Sequence, residues 1–286
     1  MAFISLAKRN ISSLMIQCLA LVLCSMPSIA QVQDDYLRYM PENQYSTLLV
    51  GETSVPIFDS EPTTPLSKGA VIILVSTGQY GLNFSEGQQL ATMLNSWGWY
   101  TTVVPHALAV DSSEDMVESM ESGSAPIDSM LHPSVDYQST QTQMMQLIAA
   151  LYNHTSNHQG FKIIVSHGMH AAHILALTAE GQIAPPDSLV TISPYWPERM
   201  HNQKVTDNVA MTTSPLLDIG APQSNNWDAM TLSDRRHKAI RQLKMHYRQK
   251  VINGSRVASS GQPDALSPHV AWLSKEIQGW LTHMGW

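Results

Sequence analysis

Cysteine is nearly missing from this chain. Its two copies, Cys18 and Cys24, both lie in or beside one N-terminal apolar stretch, so the remainder has no disulfide, no thiolate nucleophile and no cysteine-ligated metal. Stability there must come from a hydrophobic core. A second long apolar run is missing too, and after residues 14–23 nothing approaches the roughly 20 residues that a membrane span needs. Basic clusters able to track phosphates are also scarce. The chain carries 16 Lys and Arg against 23 Asp and Glu, a formal charge of −7, which argues against nucleic acid as a partner. The cations that do gather are Arg235, Arg236, Lys238, Arg241, Lys244 and Arg248; they read as the solvated face of an amphipathic helix and the strand after it. No internal repeat is evident.

What is present begins with a leader pattern. Lys8 and Arg9 precede the apolar stretch 14–23, and Ser28-Ile29-Ala30 places small residues where a signal peptidase reads. Residues 1–30 are therefore expected to be a secretory signal peptide, and the protein to be periplasmic or secreted. The competing reading, a retained membrane anchor, is disfavoured because the apolar core is short. A lipid-modified Cys24 is disfavoured because Leu23 stands where a small residue is wanted. Removing Lys8 and Arg9 leaves 16 − 2 = 14 basic residues, so the mature charge is 14 − 23 = −9. Residues 31–286 are long enough for a single α/β domain with one core.

Hydrophobic runs of strand length alternate with stretches of helical period. Residues 46–58 read as an antiparallel pair turning near 51–53, and 70–76 as a buried strand. Residues 86–97, with Leu90, Met93, Leu94 and Trp97 on one face, read as a helix. Further strands are expected at 99–104, 161–165, 188–193, 215–219 and 246–252. Helices are expected at 140–152, after the strand at 161–165, at 232–245 and at 270–281. An antiparallel start followed by strand-helix alternation implies a mostly parallel sheet covered on both faces. One long stretch, 105–137, has no clear period; it is either a cover over the carboxyl ends of the strands or a solvated excursion.

The strand Phe161-Lys162-Ile163-Ile164-Val165 runs into Ser166-His167-Gly168-Met169-His170-Ala171-Ala172 and then an apolar helix. That is the strand-turn-helix context of a G-x-S-x-G nucleophile elbow. Laid on that frame, Ser166 falls at the first glycine, Gly168 at the serine and His170 at the second glycine. The attacking atom is gone, while glycine still tolerates the strained turn.

With the order of elements above, several segments make nearly the whole mature chain resemble the α/β-hydrolase superfamily. These are Leu49-Val50-Gly51-Glu52, Val71 to Gly78 leading to Trp97-Gly98-Trp99, the glycine-centred elbow, Ser214-Pro215-Leu216-Leu217-Asp218-Ile219, Tyr247-Arg248-Gln249 and Gly279-Trp280-Leu281. More narrowly, the chain resembles a family of exported bacterial proteins of unknown function in which the elbow centre is glycine. The resemblance implies an α/β-hydrolase-like fold and says little about activity.

The remaining parts of a triad are expected in the order nucleophile, acid, histidine. Asp218 or Asp228 stands where the acid would be, and His269, in Ser267-Pro268-His269, where the histidine would be. Each also has a plain structural reading, as a turn ligand or as a residue at a capped helix start. The amides of Met169 and of Thr77 or Gly78 occupy the oxyanion positions. Ser76, Ser85 and Ser166 are the nearby hydroxyls, with Ser166 the best substitute nucleophile and a structural serine the plainer reading.

His167, His170 and His173 are spaced by three, and His154 and His158 by four. Residues at i, i+3 and i+6 drift about 240° around a helix, so the first three cannot share one face, and core or solvated histidines are the default over a metal site. No cofactor is expected. Two functions stay open. One is a non-catalytic or atypical protein that uses the cleft above the sheet for a small acyl or ester-like ligand or an envelope protein partner. The other is an acyl hydrolase with a displaced nucleophile such as Ser166, or with water activated by His167 or His269.

Overall fold

The computed structural model of the chain describes residues 44–76, 82–106, 108, 110–111, 134–252 and 267–286. The leader 1–30, Thr77, Gly78 and most of the 105–137 stretch lie outside these residues. Eight strands form one sheet: β1 (Ser46–Val50), β2 (Thr53–Ser60), β3 (Gly69–Ser76), β4 (Trp99–His106), β7 (Phe161–His167), β8 (Ser188–Ile192), β9 (Leu216–Gly220) and β10 (Tyr247–Val251). Their spatial order is β1-β2-β4-β3-β7-β8-β9-β10. Strands β1 and β2 pair antiparallel about the Gly51-Glu52 turn and β2 pairs antiparallel with β4, whereas β3 through β10 run parallel. A further short antiparallel pair, β5 (Val110–Asp111) and β6 (Ser134–Val135), stands apart within the long aperiodic stretch.

Alternation along each strand divides the core in two. Val71, Ile73, Val75, Ile163, Val165 and Ile219 face the helices α1 (Phe84–Asn95) and α6 (Pro268–His283). Ile72, Leu74, Ile164, Leu189 and Leu216 face α2 (Tyr137–His154), α3 (Gly168–Ala179), α4 (Arg199–Met211) and α5 (Asn226–Arg241). Both faces of the central strands are dry, which is why they read as continuous apolar runs. Three helix starts carry side-chain caps, whereas Ser267, read as the cap of α6, makes no side-chain cap bond. Asn83 and Glu86 form a reciprocal capping box on α1, while the side chains of Asp136 and Asn225 accept first-turn amides of α2 and α5. At the other end of the fold, Trp280 on α6 donates from Nε1 to Ser188 Oγ on β8 at 2.8 Å.

Three features differ from the sequence reading. Helix α4 has no counterpart in it, because 199–211 is polar and buries only Asn202, Val205 and Val209. It is held by tertiary contacts: Asn202 Oδ1 accepts the Trp196 amide at 3.1 Å and its Nδ2 donates to the Trp227 carbonyl at 2.8 Å. Helix α5 begins at Asn226, so Asp228 sits in its first turn rather than in a loop. Arg235, read as part of a solvated face, is fully buried.

Strands β3 and β7 approach too closely at their starts for any side chain. A Cβ on Gly69, whose φ is +141°, would lie 2.1 Å from the Phe161 carbonyl oxygen. Backbone cannot yield as a flexible side chain does. Gly69→Ala is expected to lower stability by at least ~2 kcal/mol, read as a fall in the denaturant midpoint without loss of helical signal in the native baseline.

Candidate functional site: a glycine-centred elbow flanked by buried ionic and imidazole clusters

Strand β7 delivers His167 in extended conformation (φ −122°, ψ 148°), and the chain then turns directly into α3. The turn is made at Gly168 with φ +59°, the left-handed region that disfavours any residue with a Cβ. Strand, left-handed residue and helix thus follow one another in the order expected for the turn, with glycine at its centre. One aromatic ring reaches the turn from the side. Tyr195, on the loop after β8, holds its ring so that a Cβ on residue 168 would meet Cε1 at 3.2 Å. That loop is itself held in a sparse conformation: Ser193 has φ +48° and its amide donates to the Ile219 carbonyl at 2.6 Å. The first-turn amides of α3, Met169 included, stand at the positive end of the helix dipole.

Ser166, two residues before the turn, is fully buried, and its Oγ has no hydrogen-bond partner among the described residues. It lies in one register row with Thr191 on β8 and Asp218 on β9; Thr191 Oγ1 and Asp218 Oδ1 are likewise unpartnered. An activated serine needs a base within hydrogen-bond reach, and none bonds Ser166 Oγ among the described residues. Ser85 is an exposed residue of α1, and Ser76 closes β3, its amide bonded to the Leu82 carbonyl at 3.0 Å.

Both candidate acids are taken up by one guanidinium. Arg235, on α5, donates from Nε to Asp218 Oδ2 at 3.0 Å, from Nη2 to Asp228 Oδ1 at 2.8 Å and from Nη1 to Thr231 Oγ1 at 2.7 Å. Asp218 Oδ2 also accepts from Tyr247 Oη and Gln249 Nε2, both at 2.9 Å, and Asp228 Oδ2 accepts the Ala221 amide at 2.7 Å. Burial pushes the Asp228 carboxyl above its ordinary range, against the pull of Arg235 and with a further push from Asp218. Burial alone would lower the Arg235 pKa, but the two carboxylates more than reverse that and keep it charged. His269 is the second residue of α6, half-buried, and is not among the hydrogen-bond partners of Asp218 or Asp228. The structure therefore joins the two acids to each other through Arg235, and among the described residues no histidine bonds either of them.

The histidines form a different group from the one that spacing suggests. His170 meets His106, the last residue of β4, with Nδ1 of His106 and Nε2 of His170 3.2 Å apart. His173 instead packs edge-on against Trp196 at 4.3 Å between centroids, its Nε2 buried without a partner among the described residues. Trp196 continues to Tyr137, which stacks on His201, and His201 pairs with Glu198. His154 bonds Asp59 at 2.9 Å and His158 stacks on Tyr100, so those two serve different neighbours. Among the described residues no group of three or more His, Cys, Asp and Glu is arranged to hold a metal ion.

Sequence reasoning missed His106, Arg235 and Tyr195. Only His106 left a signal, a histidine closing an apolar strand at the sheet edge where such folds bind ligands.

Two expectations follow. Removing Arg235 leaves two buried carboxylates facing each other without a cation. Arg235→Met is expected to cost about 3–5 kcal/mol, less at low pH, where Asp228, its carboxyl already raised by burial, takes up a proton, as denaturant titrations at pH 7 and pH 5 would measure. Burial pushes His106 down to about 4 and His173 to about 3, and holds His170 well below its ordinary value, with the neighbouring His106 adding to the last two. The unfolded chain binds these protons near the ordinary histidine value, about 6.5, and the folded chain does not until the lower values. Stability is therefore whole above that value and declines as pH falls toward 4. His106→Phe should flatten that decline in thermal midpoints measured between pH 7 and pH 4.5.

Comparison with known proteins places this geometry. An α/β serine hydrolase homologue from Coxiella burnetii shares the fold at 13% identity and a TM-score of 0.52, covering 84% of this chain and 97% of its own. Est1E from Butyrivibrio proteoclasticus, solved with ferulic acid bound, aligns at 11% identity and TM-score 0.54 over 83% of this chain and 98% of its own. A dienelactone hydrolase from Anabaena variabilis aligns at 12% identity and TM-score 0.51 over 84% and 98%. At these identities the likeness concerns the fold alone. No curated protein matches the sequence. Residues 26–283 match the family described as "Protein of unknown function (DUF3530)", so the chain belongs to that family and carries it on an α/β-hydrolase fold.

Proposed function

We propose that this is an exported, non-catalytic protein that uses the cleft above the carboxyl edge of the sheet to hold a small acyl or ester-like ligand. The observation that carries the reading is Gly168 itself: the elbow keeps its left-handed turn, at φ +59°, while presenting no atom that could attack a carbonyl. The parts around it agree. Ser166 is sealed in the sheet, and Asp218 and Asp228 are bound to Arg235 rather than poised behind an imidazole. Backbone amides do not depend on the side chain that was lost, so the start of α3 still favours a carboxylate or a polarised carbonyl oxygen. Export rests on the leader pattern of 1–30. A glycine at the elbow centre as a shared trait of the family belongs to the same reading.

A fluorophosphonate probe asks directly whether any serine is activated. The full chain is expected to remain unlabelled and to hydrolyse activated acyl esters no faster than buffer. Labelling abolished by Ser166→Ala would replace this reading with that of a hydrolase whose nucleophile is displaced by two residues. Gly168→Ser is expected to stay unlabelled as well, because Asp218 and Asp228, the acids in the expected order, are both bound to Arg235. The strained turn and the Tyr195 ring should lower its stability by about 1–3 kcal/mol. Ferulate, an aromatic carboxylate of the kind bound by the Butyrivibrio esterase, is a suitable first ligand; a rise in thermal midpoint on its addition would support the binding role.

A further inference from the structure

The edge of the molecule opposite the elbow, where β9 and β10 begin, carries a concentration of exposed apolar side chains. Met211 ends α4, Ile240 lies in the last turn of α5, and Leu243 and Met245 follow in the turn to β10. Leu243 is 84% exposed and Met245 76%. The two turns are fastened together: Lys244 Nζ donates to the Thr212 carbonyl and, at 3.3 Å, to that of Ser214, while the Leu216 amide donates to the His246 carbonyl at 2.9 Å.

Backbone geometry holds these side chains outward at a cost. Helix α5 ends in a paired 6→1 and 5→2 closure, Lys244 N to Ala239 O at 2.9 Å and Leu243 N to Ile240 O at 3.0 Å. The residue in the left-handed position of such a closure is usually glycine. Here it is Leu243 with φ +52°, and His246 repeats the conformation at φ +51°. A leucine strained into that position and left in water contributes nothing to this chain's own core. Such outliers direct attention to function.

Charge identifies the partner. Seven of the 16 lysines and arginines fall within residues 235–250, with no acidic residue among them, in a chain whose formal charge is −7. Arg235 is buried, and Lys238 and Lys250 are paired with Asp207 and Glu276. Arg236, one helical turn before Ile240, and Arg241, beside it, have no carboxylate partner among the described residues. Protruding apolar tips flanked by uncompensated arginines are the pattern of a surface that enters the headgroup layer of an anionic bilayer.

We propose that this edge docks on an anionic lipid bilayer, with Ile240, Leu243 and Met245 entering the interface and Arg236 and Arg241 meeting lipid phosphates. The inference is independent of what the elbow cleft binds. It also orients the molecule, since docking by this edge turns the elbow away from the membrane.

The test uses the full chain and vesicles of phosphatidylglycerol and phosphatidylethanolamine, read by sedimentation and by hydrogen exchange. Exchange separates this contact from any held by the apolar stretch 14–23. Vesicles should slow amide exchange within 240–246, and the Leu243→Asp/Met245→Asp variant should lose that protection and partition about tenfold more weakly or worse. Arg236→Gln/Arg241→Gln, which leaves the turn intact, should weaken partition by about fivefold for each cation at low salt, and phosphatidylcholine vesicles should bind no better than that variant does. Inorganic phosphate at millimolar concentration should not compete. Unprotected amides in 240–246, or unchanged partition in both variants, would overturn the proposal. So would a concentration-dependent dimer that Leu243→Asp abolishes, because a second copy would then cover this face.

Discussion

Taking a guanidinium out of water is costly unless its nitrogens find acceptors, and each of the three nitrogens of Arg235 finds one, in Asp218, Asp228 and Thr231. The arrangement ties α5 to β9 within one cluster, while Tyr247 and Gln249 bring β10 to the same carboxylate. Asp228 also fastens the start of the loop after β9 through the Ala221 amide. One side chain thus sets the relative positions of the last strands and of the loop where a hydrolase would hold its acid.

The elbow depends on this indirectly. The loop after β8 is pinned by the Ser193 amide to Ile219, the residue after Asp218, and that loop carries Tyr195 over Gly168. The turn, the Tyr195 ring against it and the ionic cluster are thus linked in series. In that series the two carboxylates are committed to Arg235, which holds the last strands together.

On the other side of Gly168, His106, His170 and His173 are buried without a carboxylate among their described contacts, so burial keeps them neutral. A neutral imidazole can accept or relay a hydrogen bond but is a poor acid. The row of unpartnered oxygens on Ser166, Thr191 and Asp218 runs across the sheet behind the turn. These three oxygens have no hydrogen-bond partner among the described residues, so the row is a set of enclosed polar atoms rather than a bonded network.

The sequence alone determined the order of strands and helices, the antiparallel start and the strand-turn-helix at Gly168, because apolar period and turn chemistry are local and repeat over many residues. The caps were not legible in it: the sequence pointed to Ser267, which makes no side-chain cap bond, while Asn83, Asp136 and Asn225 do. Helix α4 was not legible either, since its polar surface has no period and its stability comes from Asn202 bridging two other segments. Only the tertiary structure decided that Arg235 turns inward, that Asp218 and Asp228 share it, and that His170 meets His106 across 64 positions of sequence. Those partnerships are decided by distance in space and by the energy of removing charge from water, and neither quantity is written in the spacing of residues along the chain.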